Sequence, residues 1–172
     1  PLTASLLTGC SQQAEPAAIA TGTRTKGQFF DDATYDLLTQ IMDVILPKTD
    51  TPAASEVNVN GIMDNMFAKV FKPNYQKNFL AKFTELKAFL TEQDFVNVSA
   101  SKQLEIIKSI EAIPSDKQTD VYRAYIDIKQ QTVSYYLSTE EIAENHLNYL
   151  PVPGGYTPSI SVKEVGGKAW AE

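Results

Sequence analysis

Between residues 73 and 92 the chain reads PNYQKNFLAKFTELKAFLTE, and the apolar positions Phe79, Phe83, Leu86 and Leu90 recur at steps of 4, 3 and 4. That rhythm follows the 3.6-residue helical period and lays one apolar stripe along one helix face. A half-buried strand would alternate at every second residue, which this segment does not do. Pro73 suits the first helical turn, where an N–H has no intrahelical partner to lose. A helix with a single apolar stripe must bury it, so the rest of the chain has to supply complementary faces.

Those faces are helical too. In FFDDATYDLLTQIMDVILP, Leu38, Ile41, Met42 and Ile45 stand at helical spacing behind two N-cap candidates, Asp31 and Asp32. Pro47 ends this helix, because the residue before proline is driven out of the α region. A second helix is expected from about Asn60 to Phe71, facing inward with Ile62, Met66 and Val70. A fourth begins near Ser99 and buries Leu104, Ile107 and Ile110. Pro114 separates it from a fifth over residues 115–137, with Val121, Tyr125 and Ile128 turned inward. Ser138 and Glu141 then stand at capping-box spacing and open a short sixth helix. The tail, NYLPVPGGYTPSISVKEVGGKAWAE, is broken by proline and glycine and is expected to wrap the bundle as extended chain and turns. No repeat and no second core is visible, so the fold class is all-α: one bundle of five to six helices.

Charge and soft ligands narrow the function. The net charge is -6 and the 15 basic residues form no run, whereas a nucleic-acid phosphate backbone requires clustered cations. One cysteine, Cys10, excludes an intrachain disulfide. One histidine, His146, leaves no three-ligand zinc site of soft donors and no C-x-x-C-H haem attachment.

Cys10 has a context of its own. Leu7-Thr8-Gly9-Cys10 resembles a bacterial lipobox, with small residues before a cysteine whose thiol takes the lipid. Ser11 to Gly27 is rich in Ala, Gln, Thr and Gly and lacks apolar periodicity. As a flexible tether of that length it would span about 20–25 Å. The organisation expected is therefore a signal remnant over 1–10, a tether over 11–28 and a helical domain over 29–172. No later segment has the eighteen or so uninterrupted apolar residues of a membrane span.

A search for chemistry returns no catalytic set. His146 has no G-x-S-x-G beside it, and the pairs Asp31-Asp32 and Glu140-Glu141 stand at expected helix starts, where the helix dipole favours negative charge. Two facing carboxylates of a glycosidase are compatible with 21 acidic residues but are marked by no motif. Gly154-Gly155 reads as a turn and not as a phosphate cradle. Tyr135, Tyr136 and Trp170 are either interface anchors or core.

One stretch carries a resemblance. DVILPKTDTPAASEVNVNGIMDNMF combines Ile45-Leu46-Pro47, the turn Thr49-Asp50-Thr51-Pro52, the small pair Ala53-Ala54, then Val59 and Ile62. Further on come Tyr135-Tyr136, the run from Leu147 to Tyr156 and the terminal Ala169-Trp170-Ala171. Together these resemble the gluconate 2-dehydrogenase subunit 3 family, over about Phe29 to Ala171. Ala53 stands where that family often has glycine. Some members also look like carriers of a twin-arginine signal, whereas this N-terminus is lipoprotein-like.

The resemblance implies a non-catalytic small subunit in the bacterial envelope. Its large partner would be an FAD-dependent sugar or polyol dehydrogenase of the glucose-methanol-choline type, with haem c in a further subunit. It implies no cofactor or metal in this chain. Two preformed segments are the docking candidates: the connector with Pro47, Thr49, Asp50, Thr51 and Pro52, and the tail with Pro151, Pro153, Gly154 and Tyr156. Asp50 is expected to close an Asx-turn there. Two other readings stay compatible with the residues: a free-standing envelope lipoprotein binding a protein or a sugar, and a small carboxylate-dependent hydrolase.

Overall fold

The computed structural model describes residues 27–150, 154–155 and 159–171. Six α-helices make up the described chain: α1 (Asp32–Ile45), α2 (Val59–Lys69), α3 (Pro73–Glu92), α4 (Ala100–Glu111), α5 (Asp120–Leu137) and α6 (Glu140–Asn145). Short 3-10 turns, Ala54–Val57 and Ser115–Lys117, precede α2 and α5. The described residues hold no strand, only an isolated bridge between Asn148 and Trp170. The fold is an all-α bundle.

Local chemistry sets the helix ends. Asp31 caps α1, its carboxylate accepting the Thr34 N–H at 2.7 Å. Ser99 and Thr119 cap α4 and α5 through Lys102 N–H and Tyr122 N–H. Asn58 sits at φ 60°, between the first 3-10 turn and α2, in the left-handed region that Asn tolerates better than most residues.

Helix α5 is the hub: it packs on every other helix, most extensively on α3. It buries Ala124, Tyr125, Ile128, Thr132 and Tyr136. The stripe expected on α3 is the buried one, Phe79, Phe83, Leu86 and Leu90. Each such side chain contributes about 1.5–3 kcal/mol by leaving water.

Several expected faces and boundaries are corrected. Helix α2 turns Val59, Met63 and Phe67 inward, while Ile62 and Met66 are half-buried and Val70 is 60% exposed. The two stripes have the same i, i+4 spacing, one position apart. The aromatic cluster of Phe29, Phe30, Phe71 and Phe79 around Phe67 selects between them. On α4 the buried trio is Ile106, Ile107 and Ile110, and Leu104 lies on the exposed flank. The fifth helix starts at Asp120 and not at 115, because extended Gln118 separates it from the 3-10 turn. Ser138 builds no capping box: it is the C-cap of α5, and its hydroxyl donates back to Tyr135 O.

The entry to the bundle is pinned by one side chain. Asp64, on α2 and 3% exposed, accepts the backbone N–H groups of Gln28, Phe29 and Phe30. A Cβ on Gly27 would sit 2.4 Å from Phe30 O, so this turn requires glycine. Among the described residues no buried side-chain nitrogen or oxygen lacks a hydrogen-bond partner.

Candidate docking surface

The connector between α1 and α2 starts where Pro47 follows Leu46, whose N–H makes a last helical bond to Met42 O. The chain then makes a closed excursion. Ala54 N–H returns to Leu46 O at 3.1 Å. Asp43 grips the far side with both carboxylate oxygens, accepting Ser55 N–H at 2.9 Å and Ser55 Oγ–H at 2.8 Å. Glu56 accepts the Ala53 N–H at 2.8 Å and pairs with Lys48 at 2.6 Å. These contacts hold the Glu56 carboxyl below its ordinary range, the Lys48 hydrogen bond contributing most and the Ala53 N–H next.

A long-range bond fixes the middle of the loop. Tyr136, buried on α5, donates its hydroxyl to Pro52 O at 2.8 Å. Ala54 is fully buried and Ala53 nearly so, which explains the small pair: larger side chains have no room beside the core. Pro47, Lys48, Thr49 and Asp50 stay exposed at the tip. The loop is thus clamped at its base and open at its end. Inside the tip Thr49 N–H donates to Thr51 O at 2.9 Å. The Asx-turn expected of Asp50 is not formed with any described residue: threonine closes the turn, and the aspartate is left facing solvent.

The paired tyrosines separate in role. Tyr136 is core and locks the connector, so it is not an exposed anchor. Tyr135 is half-buried and donates to Gln131 Oε1, while Gln131 Nε2 donates to the Tyr75 hydroxyl. Burial, more than the neighbouring charge, pushes both exposed-side phenols, Tyr75 and Tyr135, above their ordinary range.

At the other end of α6 the chain termini of the resemblance meet. Asn148 N–H donates to Ala169 O at 2.8 Å, and Ala171 N–H donates to Asn148 O at 2.9 Å. Beside this bridge Tyr149, Leu150 and Trp170 are each about half exposed. These exposed apolar groups gather where two distant parts of the chain meet. Trp170 stands out in the sequence, whereas Tyr149 and Leu150 are carried only as part of the run from Leu147 to Tyr156. Gly154 is an exposed turn residue. Pro151, Pro153 and Tyr156 lie outside the described residues, as do Cys10 and the tether up to residue 26.

The remaining candidates for chemistry take structural places. Asp31-Asp32 and Glu140-Glu141 stand at the starts of α1 and α6. His146 is the C-cap of α6, with Nε2 3.9 Å from Glu141 Oε1. Among the described residues no group of three or more His, Cys, Asp or Glu could hold a metal, and no helix is long and apolar enough to cross a membrane. A groove of about 430 Å³, unmarked in the sequence, runs between α1 and the α3–α4 turn, lined by Asp36, Gln40, Lys87, Leu90 and Phe95 among others.

The described residues thus form a helical bundle that clamps one connector at its base and carries exposed apolar side chains at the Asn148–Trp170 bridge. The model of the gluconate 2-dehydrogenase subunit 3 family matches residues 32–154. The chain belongs to the gluconate 2-dehydrogenase subunit 3 family. Neither the curated proteins nor the solved structures gave a match.

Proposed function

We propose that this chain is the non-catalytic small subunit of an FAD-dependent sugar or polyol dehydrogenase of the glucose-methanol-choline type. In this reading it binds and stabilises the flavin subunit and holds it at the periplasmic side of a bacterial envelope through a lipid on Cys10. A haem c subunit would take the electrons from the flavin. The family membership supports a dehydrogenase assembly as the setting. The lipobox-like Leu7-Thr8-Gly9-Cys10 and the small-residue tether support the lipid anchor.

The observation that carries the docking reading is the clamped connector. Hydrogen bonds to Leu46, Asp43, Glu56 and Tyr136 fix a loop whose Pro47, Thr49 and Asp50 stay exposed. A loop ordered in advance loses little entropy when it docks, so its contacts convert into affinity. Pro47, Thr49, Asp50, Thr51 and Pro52 would meet the flavin subunit. Trp170, Tyr149 and Leu150 would add an apolar anchor, and Tyr135, Pro151, Pro153, Gly154 and Tyr156 are further candidates for contact with the same partner.

The test is affinity purification of the chain from its native cells, with a visible spectrum of the eluate. A flavin spectrum, a larger co-eluting polypeptide and sugar-dependent dye reduction are expected. An Asp50→Lys, Thr49→Arg variant should elute colourless while keeping its helical circular dichroism. A colourless parent chain eluting alone from expressing cells would refute the assignment and leave a free-standing envelope lipoprotein.

A further inference from the structure

The cations of this acidic chain are unevenly placed. Residues 65–84 contain Lys69, Lys72, Lys77 and Lys82 and no Asp or Glu, so a chain of net -6 carries -10 outside this one stretch. The stretch is the α2–α3 corner. Lys82 is paired with Asp127 on α5 at 3.5 Å, but Lys69, Lys72 and Lys77 are exposed and pair with no carboxylate of the described residues. Between Lys69 and Lys72 the corner presents Val70, 60% exposed, and Tyr75 stands at the start of α3 with its ring against Phe71. On α5, Tyr75 meets the neutral Gln131, and the one α5 acid close enough to act on it, Asp127, is paired with Lys82.

The tether arrives at this same corner. Asp64 holds Gln28, Phe29 and Phe30 against α2, and Gln28 Nε2 donates to Asn65 Oδ1. Arg24 and Lys26 immediately precede that clamp in the sequence.

We propose that the α2–α3 corner is the face that rests on an anionic lipid bilayer, with Lys69 (which donates to Asn65 Oδ1), Lys72 and Lys77, none of them paired with a carboxylate of the described residues, meeting headgroup phosphates and Val70 and Tyr75 entering the interface. The charge is complementary, and an aliphatic tip between lysines with an adjacent tyrosine is the pattern of an interfacial contact. The proposal rests on the lipid-anchor reading in one respect: a tether of about 20–25 Å keeps the bilayer within reach of a weak contact. The Asp64 clamp ties the contact to the orientation of the domain, because it holds Gln28, Phe29 and Phe30 beside the face that touches the membrane.

The test uses the full chain without its lipid, which separates this face from the anchor, and sedimentation with vesicles of phosphatidylcholine alone or mixed with phosphatidylglycerol. Binding is expected only to the anionic vesicles and should disappear at high salt. Each lysine near an anionic surface is worth about fivefold in partition, so Lys69→Glu, Lys72→Glu, Lys77→Glu together should lower it at least about 100-fold. Lys102→Glu, Lys117→Glu, Lys163→Glu makes the same charge change elsewhere and should cost much less. Equal binding to both vesicle types, or equal losses in the two triple variants, would overturn the proposal. So would a chain that ignores vesicles but loses its flavin subunit when the corner is reversed, which would assign the corner to a protein partner. Whether Cys10 carries a lipid is read separately, by Cys10→Ser in cells.

Discussion

Replacing Asp64 with alanine tests how the bundle holds its entry segment. The carboxylate receives Phe30 N–H at 2.9 Å and Phe29 N–H at 3.0 Å on Oδ1, and Gln28 N–H on Oδ2. Of these donors only that of Phe30 belongs to a buried residue, and leaving it unpaired costs about 1–3 kcal/mol. The other two reach water and lose about 0.5–1 kcal/mol each. The sum is roughly 2–5 kcal/mol, or about 4–20 °C in Tm for a domain of this size. Asp64→Asn should cost about half, because Oδ1 survives while the amide NH2 meets the Gln28 N–H donor to donor. Urea unfolding followed by circular dichroism gives the stabilities, and amide exchange at Phe30 locates the change. A loss below about 1 kcal/mol at unchanged m-value, with Phe30 still protected, would refute the reasoning.

Tyr136→Phe removes only the hydroxyl that reaches Pro52 O and should cost about 1 kcal/mol, with faster amide exchange at Ala53 and Ala54 and weaker retention of the proposed partner subunit. Normal exchange there would show that the loop is held without α5. Glu111 accepts hydrogen bonds from Lys129, the larger influence, and from the Tyr125 hydroxyl, which together keep its carboxyl below the ordinary 4.5. A carboxyl lowered in the folded state stabilises above its unfolded pKa and loses that stabilisation as pH falls through the folded value. Glu111→Gln should therefore flatten the acid limb below about pH 4.5, by no more than about 1 kcal/mol for so exposed a pair, in urea midpoints taken from neutral pH downward. An unchanged acid limb would remove Glu111 from the pH dependence.

What the sequence determined by itself was whatever is written in neighbouring residues. The α3 stripe, a cap at Asp31 or Asp32, the start of a helix near Ser99 and the breaks at Pro47 and Pro73 depend on backbone sterics and on side chains three or four positions apart, so they are legible in a single strand of text. The family resemblance was legible for the same reason, through the Thr49–Pro52 turn and the Leu147–Tyr156 run. Where two local solutions had equal merit, only the folded chain could choose. Val59, Met63 and Phe67 won over Ile62, Met66 and Val70 because Phe29 and Phe30 arrive from another part of the chain to surround Phe67. The roles of Tyr136, Asp64 and Asn148 rest on bonds to Pro52, to Gln28–Phe30 and to Ala169–Ala171. Partners so far away in sequence leave no local trace, since a hydrogen bond formed across the bundle constrains the two ends and nothing between them.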